Sequence, residues 1–236
     1  MTDNFELIKE FIKNNYTLNK GDFFLLQILK RRKENPDMKK DVSSIDNFII
    51  INPEDLDFYK DDIIRLCQDN NARAYFRLNK RNEDKIALQT LKISTDDLIE
   101  RIHPKYEKPF EEYCKKHNIN KEILTETGKK FQIINMLTEV LSDYDWFNDI
   151  IRYQFLSAAG QFASDPIKKW VIDVDVPTIL DEVKEFLETI TIVYSIIPTK
   201  NGYHIITKGF NPQLLADKKF NNVEIKKDSP TILYCI

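Results

Sequence analysis

Residues 170–175 read WVIDVD, from Trp170 to Asp175, an apolar run that closes on two acids one residue apart. Side chains alternate between faces along a β-strand, so Asp173 and Asp175 share one face while Ile172 and Val174 take the other. Two carboxylates held side by side repel unless a cation lies between them. Hard divalent ions prefer carboxylate oxygens, and two acids on one strand face can ligate one ion or bridge two. The stretch therefore predicts a strand whose end can carry a metal site, although two acids alone are more often a solvated strand end. In that plainer alternative Asp175 opens the turn into the next helix.

Downstream, VPTILDEVKEFLETI sets Ile179, Leu180, Val183, Phe186, Leu187 and Ile190 on one helical face, opened by Pro177 and a Thr178–Asp181 capping-type pair. TIVYSII (Thr191 to Ile197) predicts a strand, PTKNG a turn, and YHIIT (Tyr203 to Thr207) the returning strand; NVEIKK and TILYCI predict further strands. That order predicts a compact sheet with a helix across one face. His204 leaves the Asn201–Gly202 hairpin signal on a rigid strand. Flanked by Lys200 and Lys208, it offers a basic edge to the carboxylates, although a lone strand histidine is more often an ordinary surface or core residue. A third carboxylate would complete a metal site. Glu224, in the alternation of NNVEIKK, and Asp228, which opens a turn with Ser229 and Pro230, both remain open.

Upstream, FELIKEFI and FFLLQILKRRK give two amphipathic helical patterns separated by a polar turn near Asn19, Lys20 and Gly21, and RRKENPDMKKD reads as an exposed loop. NFIII (Asn47 to Ile51) predicts a strand, and Asn52 with Pro53 an N-cap and first turn for a helix through Leu66. ARAYFRL is again strand-like and NEDKIALQTL helical, which implies at least one parallel crossover in a small α/β module. From Ser94 to Phe162 the spacing is helical, with Phe131, Ile134, Leu137, Val140 and Leu141 on one stripe and Trp146, Phe147, Ile150, Ile151 and Phe155 on another. The expected organisation is an N-terminal region over 1–93, a helical connector over 94–165 and a last lobe over 166–236.

The 236 residues carry a formal charge of -3, so no overall basic field draws the chain to nucleic acid or lipid, and any polyanion must meet a local patch. RAYFRLNKR is the best such patch. On a strand Arg73, Tyr75 and Arg77 share a face, Lys80 and Arg81 follow, and basic groups beside an aromatic suit single-stranded nucleic acid. A solvated strand end is the rival reading, and KRRK (Lys30 to Lys33) is a second patch. The three cysteines show no CxxC spacing, which points to a reducing compartment and against structural zinc. Acids stand where a signal peptide needs bases, and no apolar run is long enough to cross a bilayer, so a cytoplasmic protein is expected. A GxxxxGK[ST] loop is absent, and Ser157 and Cys114 have no base at readable spacing. His103 and His117, in polar helical contexts, receive no chemistry.

An hhhDhD strand, then Gly-x-His on a second strand, then an acid in a third, resembles the archaeo-eukaryotic primase-like superfamily of primase-polymerases. WVIDVD with Asp173 and Asp175, NGYHIIT with Gly202 and His204, and more loosely VEIKKD carry the resemblance; PTKNGYHIITKGFN is similar to stand-alone members found in phages and mobile elements. The resemblance implies an α/β (α+β) two-lobed fold, with an N-terminal α/β module, a helical connector and a C-terminal RRM-like sheet. It implies a metal-dependent nucleotidyltransferase, a DNA primase or polymerase that joins nucleotides on a single-stranded DNA template. Asp173, Asp175 and the third acid would hold two Mg²⁺ or Mn²⁺ ions. His204, with Lys200 and Lys208, would contact the phosphates of a nucleoside triphosphate. A separate helicase is the implied partner, in the cytoplasm of a bacterial or phage-infected cell. A catalytically inactive nucleic-acid-binding relative and a metal-dependent nuclease are the alternatives.

Overall fold

The computed structural model describes residues 1–97, 103–141, 145–218, 220 and 222–236. It is a mixed α+β chain with two antiparallel sheets, and it divides into two compact units, Met1–Glu83 with Ala163–Ile236, and Asp84–Phe162. Both sheets belong to the first unit. Among the described residues no helix is long and apolar enough to cross a membrane.

The first sheet contains β1 (Thr2–Asp3), β2 (Asp22–Arg31), β3 (Val42–Ile50), β4 (Arg73–Arg77), the short β5 (Arg81–Asn82) and β10 (Pro230–Cys235). Its order is β1-β10-β4-β2-β3, with β5 beside the start of β2 and every neighbouring pair antiparallel. Because β3 and β4 both run against β2, they are parallel to each other. Helices α2 (Asp55–Phe58) and α3 (Lys60–Asn70) join them, so the expected crossover exists with β2 between its strands.

Two local expectations are corrected. FFLLQILKRRK is not a helix: its residues through Arg31 lie in β2, the strand between β3 and β4. Phe24, Leu26 and Ile28 enter the main core, while Phe23 and Leu25 are buried on the other face. A strand covered on both faces loses polar alternation, and periodicity cannot separate it from a buried helix. Nor does Asn52 cap the next helix. The Asp55 carboxylate accepts the Ile51 and Asn52 N–H groups at 2.8 and 2.9 Å, so α2 starts at Asp55. The last turn of α3 ends at Asn71, left-handed at φ 45°, as helix C-termini commonly do. The first helix, α1 (Phe5–Asn15), is as expected and buries Phe5, Ile8, Phe11 and Ile12.

The second unit is helical, with α4 (Glu83–Asp97) leading into α5 (His103–Lys116), α6 (Glu126–Leu141) and α7 (Asp145–Gln161). Phe110, Tyr113 and Cys114 of α5 pack with Ile133 and Met136 of α6. Phe131, expected on the buried stripe, is 60% exposed. The side chains of Ile134, Leu137, Val140, Leu141, Trp146, Phe147, Ile150 and Ile151 lie outside the described residues. All three cysteines are unbridged and buried, and burial pushes the Cys67 thiol up to about 12, which leaves it unreactive.

The second sheet holds β6 (Lys169–Val174), β7 (Val193–Pro198), β8 (Tyr203–Lys208) and β9 (Val223–Lys227) in the order β7-β8-β6-β9, all antiparallel. Helix α8 (Leu180–Ile190) joins β6 to β7 and α9 (Pro212–Lys218) joins β8 to β9, giving two interleaved split β-α-β units. Ile172 and Val174 pack with Val183, Leu187 and Leu215 on the helix-covered face. On the other face Val171, Ile197 and Ile206 join the core of the first sheet. The expected Thr178–Asp181 cap does not form. A 3₁₀ turn over Pro177–Ile179 precedes α8, leaving Ile179 at the N-cap without a side-chain bond.

Buried polar groups stitch the sheets together. The Asn4 amide donates to Pro198 O at 2.9 Å and Ile232 O at 3.0 Å, tying β7 to β10. Asn79 holds the first residue of β6: its Nδ2 donates to Lys169 O at 3.0 Å, and its Oδ1 accepts the Lys169 N–H at 2.7 Å.

Candidate active site

Strand β6 lies between β8 and β9, and Asp173 stands opposite His204 on one side and Glu224 on the other. Directly opposed residues of antiparallel strands project to the same face, so His204, Asp173 and Glu224 form one row. This is the face that carries Val171 into the core between the sheets, and Asp173 follows where the core gives way to a cleft. Asp173 and His204 have side-chain exposures of 12% and 11%, whereas Glu224 reaches out at 71%.

His204 is fixed from two sides. Its Nδ1 lies 2.9 Å from the buried Thr231 Oγ1 of β10, and its Nε2 is 3.5 Å from Asp173 Oδ1. On β9, two residues beyond Glu224, Lys226 projects to the same face. Its Nζ contacts Asp173 Oδ2 and is 3.6 Å from Glu224 Oε2. These partners set the charges. The His204 hydrogen bond, assisted by Lys226 and opposed by burial, holds the Asp173 carboxyl at about 2. Burial works to lower the Lys226 ammonium, but hydrogen bonding and attraction to Asp173, with a smaller contribution from Glu224, outweigh it and move it up. A cation thus lies between two acids of the row, Asp173 and Glu224, and it belongs to the chain.

Gly202 lets the β7–β8 hairpin reach this strand end. A Cβ at that position would lie 2.1 Å from Val174 O and 3.0 Å from Asp175 Cα, so the tip admits no side chain. The tip is closed by Thr199 N–H to Gly202 O at 2.8 Å and by Gly202 N–H to Thr199 Oγ1 at 3.0 Å. Gly202→Val is expected to force the hairpin off β6 and to cost about 1–3 kcal/mol, as overpacking does. Denaturant unfolding measures it, and unchanged stability would contradict the close approach.

The row opens on a cleft of about 350 Å³ between the two sheets. Asp173, Asp175, His204, Lys200 and Lys226 line it from the second sheet and its hairpin. Arg31, Lys33, Arg73 and Tyr75 face them from the first. Five Lys and Arg side chains against two Asp make the cleft cationic although the chain is acidic overall. Glu34 orients the far wall, pairing with Arg73 at 2.7 Å and Arg31 at 3.8 Å, while an Arg31 N–H donates to Tyr75 Oη at 3.2 Å. A larger hollow of about 580 Å³ lies on the helix side of the second sheet, and among the described residues Glu182 and Lys218 are the charged groups in its lining. Among the described residues its lining offers no paired carboxylates.

The remaining expected site residues divide. Asp228 occupies a left-handed turn at φ 51°, where its Oδ1 accepts from Asn79 at 2.7 Å and its carbonyl from Arg77 at 3.2 Å. Its carboxylate is thus engaged in the turn. Lys208 stands opposite Lys169, at the other end of β8 from His204, and does not line the cleft. Of the RAYFRLNKR patch only Arg73 and Tyr75 reach the cleft. Arg77 donates to Gln27 Oε1 at 3.0 Å, and Lys80 pairs with Asp22 at 2.7 Å. Arg81, expected at the surface, is fully buried, and burial pulls its guanidinium down to about 10. The KRRK run, in contrast, supplies Arg31 and Lys33. Lys226, Thr231 and Glu34 carry no sequence signal of their own, because their roles depend on strand register and on distant partners.

Among the described residues no three His, Cys, Asp or Glu side chains converge as a ready-made metal cage. Mg²⁺ at phosphate-handling sites needs less, since one or two carboxylates with substrate oxygens and water suffice. Asp173 and Asp175 fit that pattern, and the Lys226 ammonium seated on Asp173 marks a position where positive charge is favoured. Comparison of the chain with protein-family models, curated proteins and solved structures finds no match.

Proposed function

We propose that the chain is a metal-dependent nucleotidyltransferase that joins nucleotides on a single-stranded DNA template, a primase- or polymerase-like enzyme whose second sheet is an RRM-like catalytic lobe. The observation that carries this reading is the Asp173–His204 pair, in register across two strands, at the mouth of a cleft whose opposite wall is cationic. Asp173 and Asp175 would hold Mg²⁺ or Mn²⁺, with Glu224, opposite Asp173 on β9, the further carboxylate of the row. Such ions, when bound, lower the pKa of an attacking hydroxyl and neutralise charge on departing pyrophosphate.

The chain's own groups bind and orient. His204, held by Thr231, keeps its Nε2 edge beside Asp173 for contact with the triphosphate, and Lys200 adds a charge at the hairpin tip. Arg31, Lys33 and Arg73 take phosphates of the template, and Tyr75 offers a ring to a base. Lys208 has no part in this arrangement. The activity calls for a separate helicase to expose the template, in the cytoplasm of a bacterial or phage-infected cell.

A second reading, an inactive relative that only binds nucleic acid, is favoured by one observation: Lys226 already neutralises Asp173. Template-dependent incorporation of labelled nucleotides separates the two. A requirement for nucleoside triphosphates separates the polymerase from a metal-dependent nuclease. Arg73→Ala is expected to weaken single-stranded DNA binding and to flatten its salt dependence, by roughly 0.7 in the log–log slope for each phosphate that is no longer neutralised. Fluorescence anisotropy across a salt series measures this, and an unchanged slope removes Arg73 from the template surface.

A further inference from the structure

Both oxygens of Asp173 are engaged, Oδ2 by Lys226 Nζ and Oδ1 by His204 Nε2 at 3.5 Å. The same ammonium lies 3.6 Å from Glu224, so one lysine spans two carboxylates of the row. The two cations differ in freedom. His204 is pinned by Thr231, whereas Lys226 rises from the edge strand β9 with 37% of its side chain exposed. Its four-carbon stem can swing the ammonium into the cleft without disturbing the sheet.

We infer that Lys226 is a resident cation that holds the acid row together without a divalent ion and must release Asp173 before such an ion binds, so that it sets the site's affinity for the ion. The inference rests on the metal-binding reading above. An ammonium and a divalent ion at contact distance repel, so the two occupy Asp173 Oδ2 in turn. The measured ion affinity is then the intrinsic one reduced by the fraction of molecules in which Asp173 is open. Once released, the ammonium stays within the cleft, where an anionic triphosphate can receive it. An ion therefore binds better together with a triphosphate than alone.

The test is Mn²⁺ affinity of the full chain, by calorimetry or electron paramagnetic resonance, for the wild type, Lys226→Met and Lys226→Arg. Lys226→Met, which keeps the length and removes the charge, is expected to bind Mn²⁺ about tenfold more tightly or better, because the open fraction rises toward one. Lys226→Arg keeps the charge and is expected to show no gain. A non-hydrolysable triphosphate is expected to tighten Mn²⁺ binding more in the wild type than in Lys226→Met. Should removal of the charge weaken the acid row enough to unfold it, Mn²⁺ is expected to restore the thermal transition of that variant. Mn²⁺ affinity in Lys226→Met equal to or below the wild type overturns the inference. A gain in affinity without nucleotide incorporation by the wild type leaves the inference standing while the polymerase reading fails, and incorporation with no gain does the reverse. If no form binds Mn²⁺, both fall.

Discussion

Asp165→Ala is expected to lower unfolding stability by about 3–5 kcal/mol, the usual cost of breaking a buried ion pair from one side. Asp165 Oδ2 and Lys169 Nζ are 2.9 Å apart, with side-chain exposures of 5% and 6%. The ammonium also lies 4.0 Å above the Tyr16 ring, and Tyr16 Oη donates to Leu78 O at 2.6 Å. Lys169 is the first residue of β6, so an uncompensated charge there disturbs the strand that carries Asp173. Breaking the exposed Lys9–Glu6 pair with Glu6→Ala is expected to cost far less. Denaturant unfolding of the two variants makes the comparison, and a loss below about 1 kcal/mol for Asp165→Ala would show that the pair contributes little.

Asp173→Asn is expected to reduce nucleotide incorporation by at least about 10³-fold, because removing an ion's anchoring carboxylate forfeits several kcal/mol of charge stabilisation and each 1.36 kcal/mol is tenfold in rate. The change preserves size, so the fold should survive it. Single-stranded DNA affinity is expected to stay within a few-fold, since the template wall belongs to the other sheet, and Lys208→Ala, at the far end of β8, is expected to leave incorporation unchanged. Loss of DNA binding together with activity would point to a structural role for Asp173. With its folded value at about 2, against 3.8 for an unperturbed aspartate, the carboxyl stays ionised at working pH. Its pairing stabilises the fold fully above about pH 4, and that contribution fades as the pH falls toward 2.

The second sheet was legible because its signals are local. Alternation marked β6 and the Asn201–Gly202 turn marked the hairpin. The row Asp173–His204 then follows from pairing two adjacent strands. Lys226 was illegible because its role depends on β9 aligning with a strand that starts at Lys169, a register that no short-range pattern encodes. The first sheet misled where burial erased periodicity: Leu, Ile and Phe fill both faces of β2, and its Leu, Gln and Lys residues also favour helices. Charge was the least legible property. Arg73 and Arg81 stand in one basic run, yet one lines the cleft and the other lies in the core. Whether a basic side chain meets solvent, a carboxylate or a substrate depends on its distant neighbours.

The most direct measurement is incubation of the purified chain with single-stranded DNA, labelled nucleoside triphosphates and Mg²⁺ or Mn²⁺, beside a variant carrying Asp173→Ala and Asp175→Ala. Labelled products that require the template, the ion and both acids are predicted. DNA binding without any product in the wild type would contradict the nucleotidyltransferase and leave the cleft a nucleic-acid-binding surface whose acids are neutralised by Lys226.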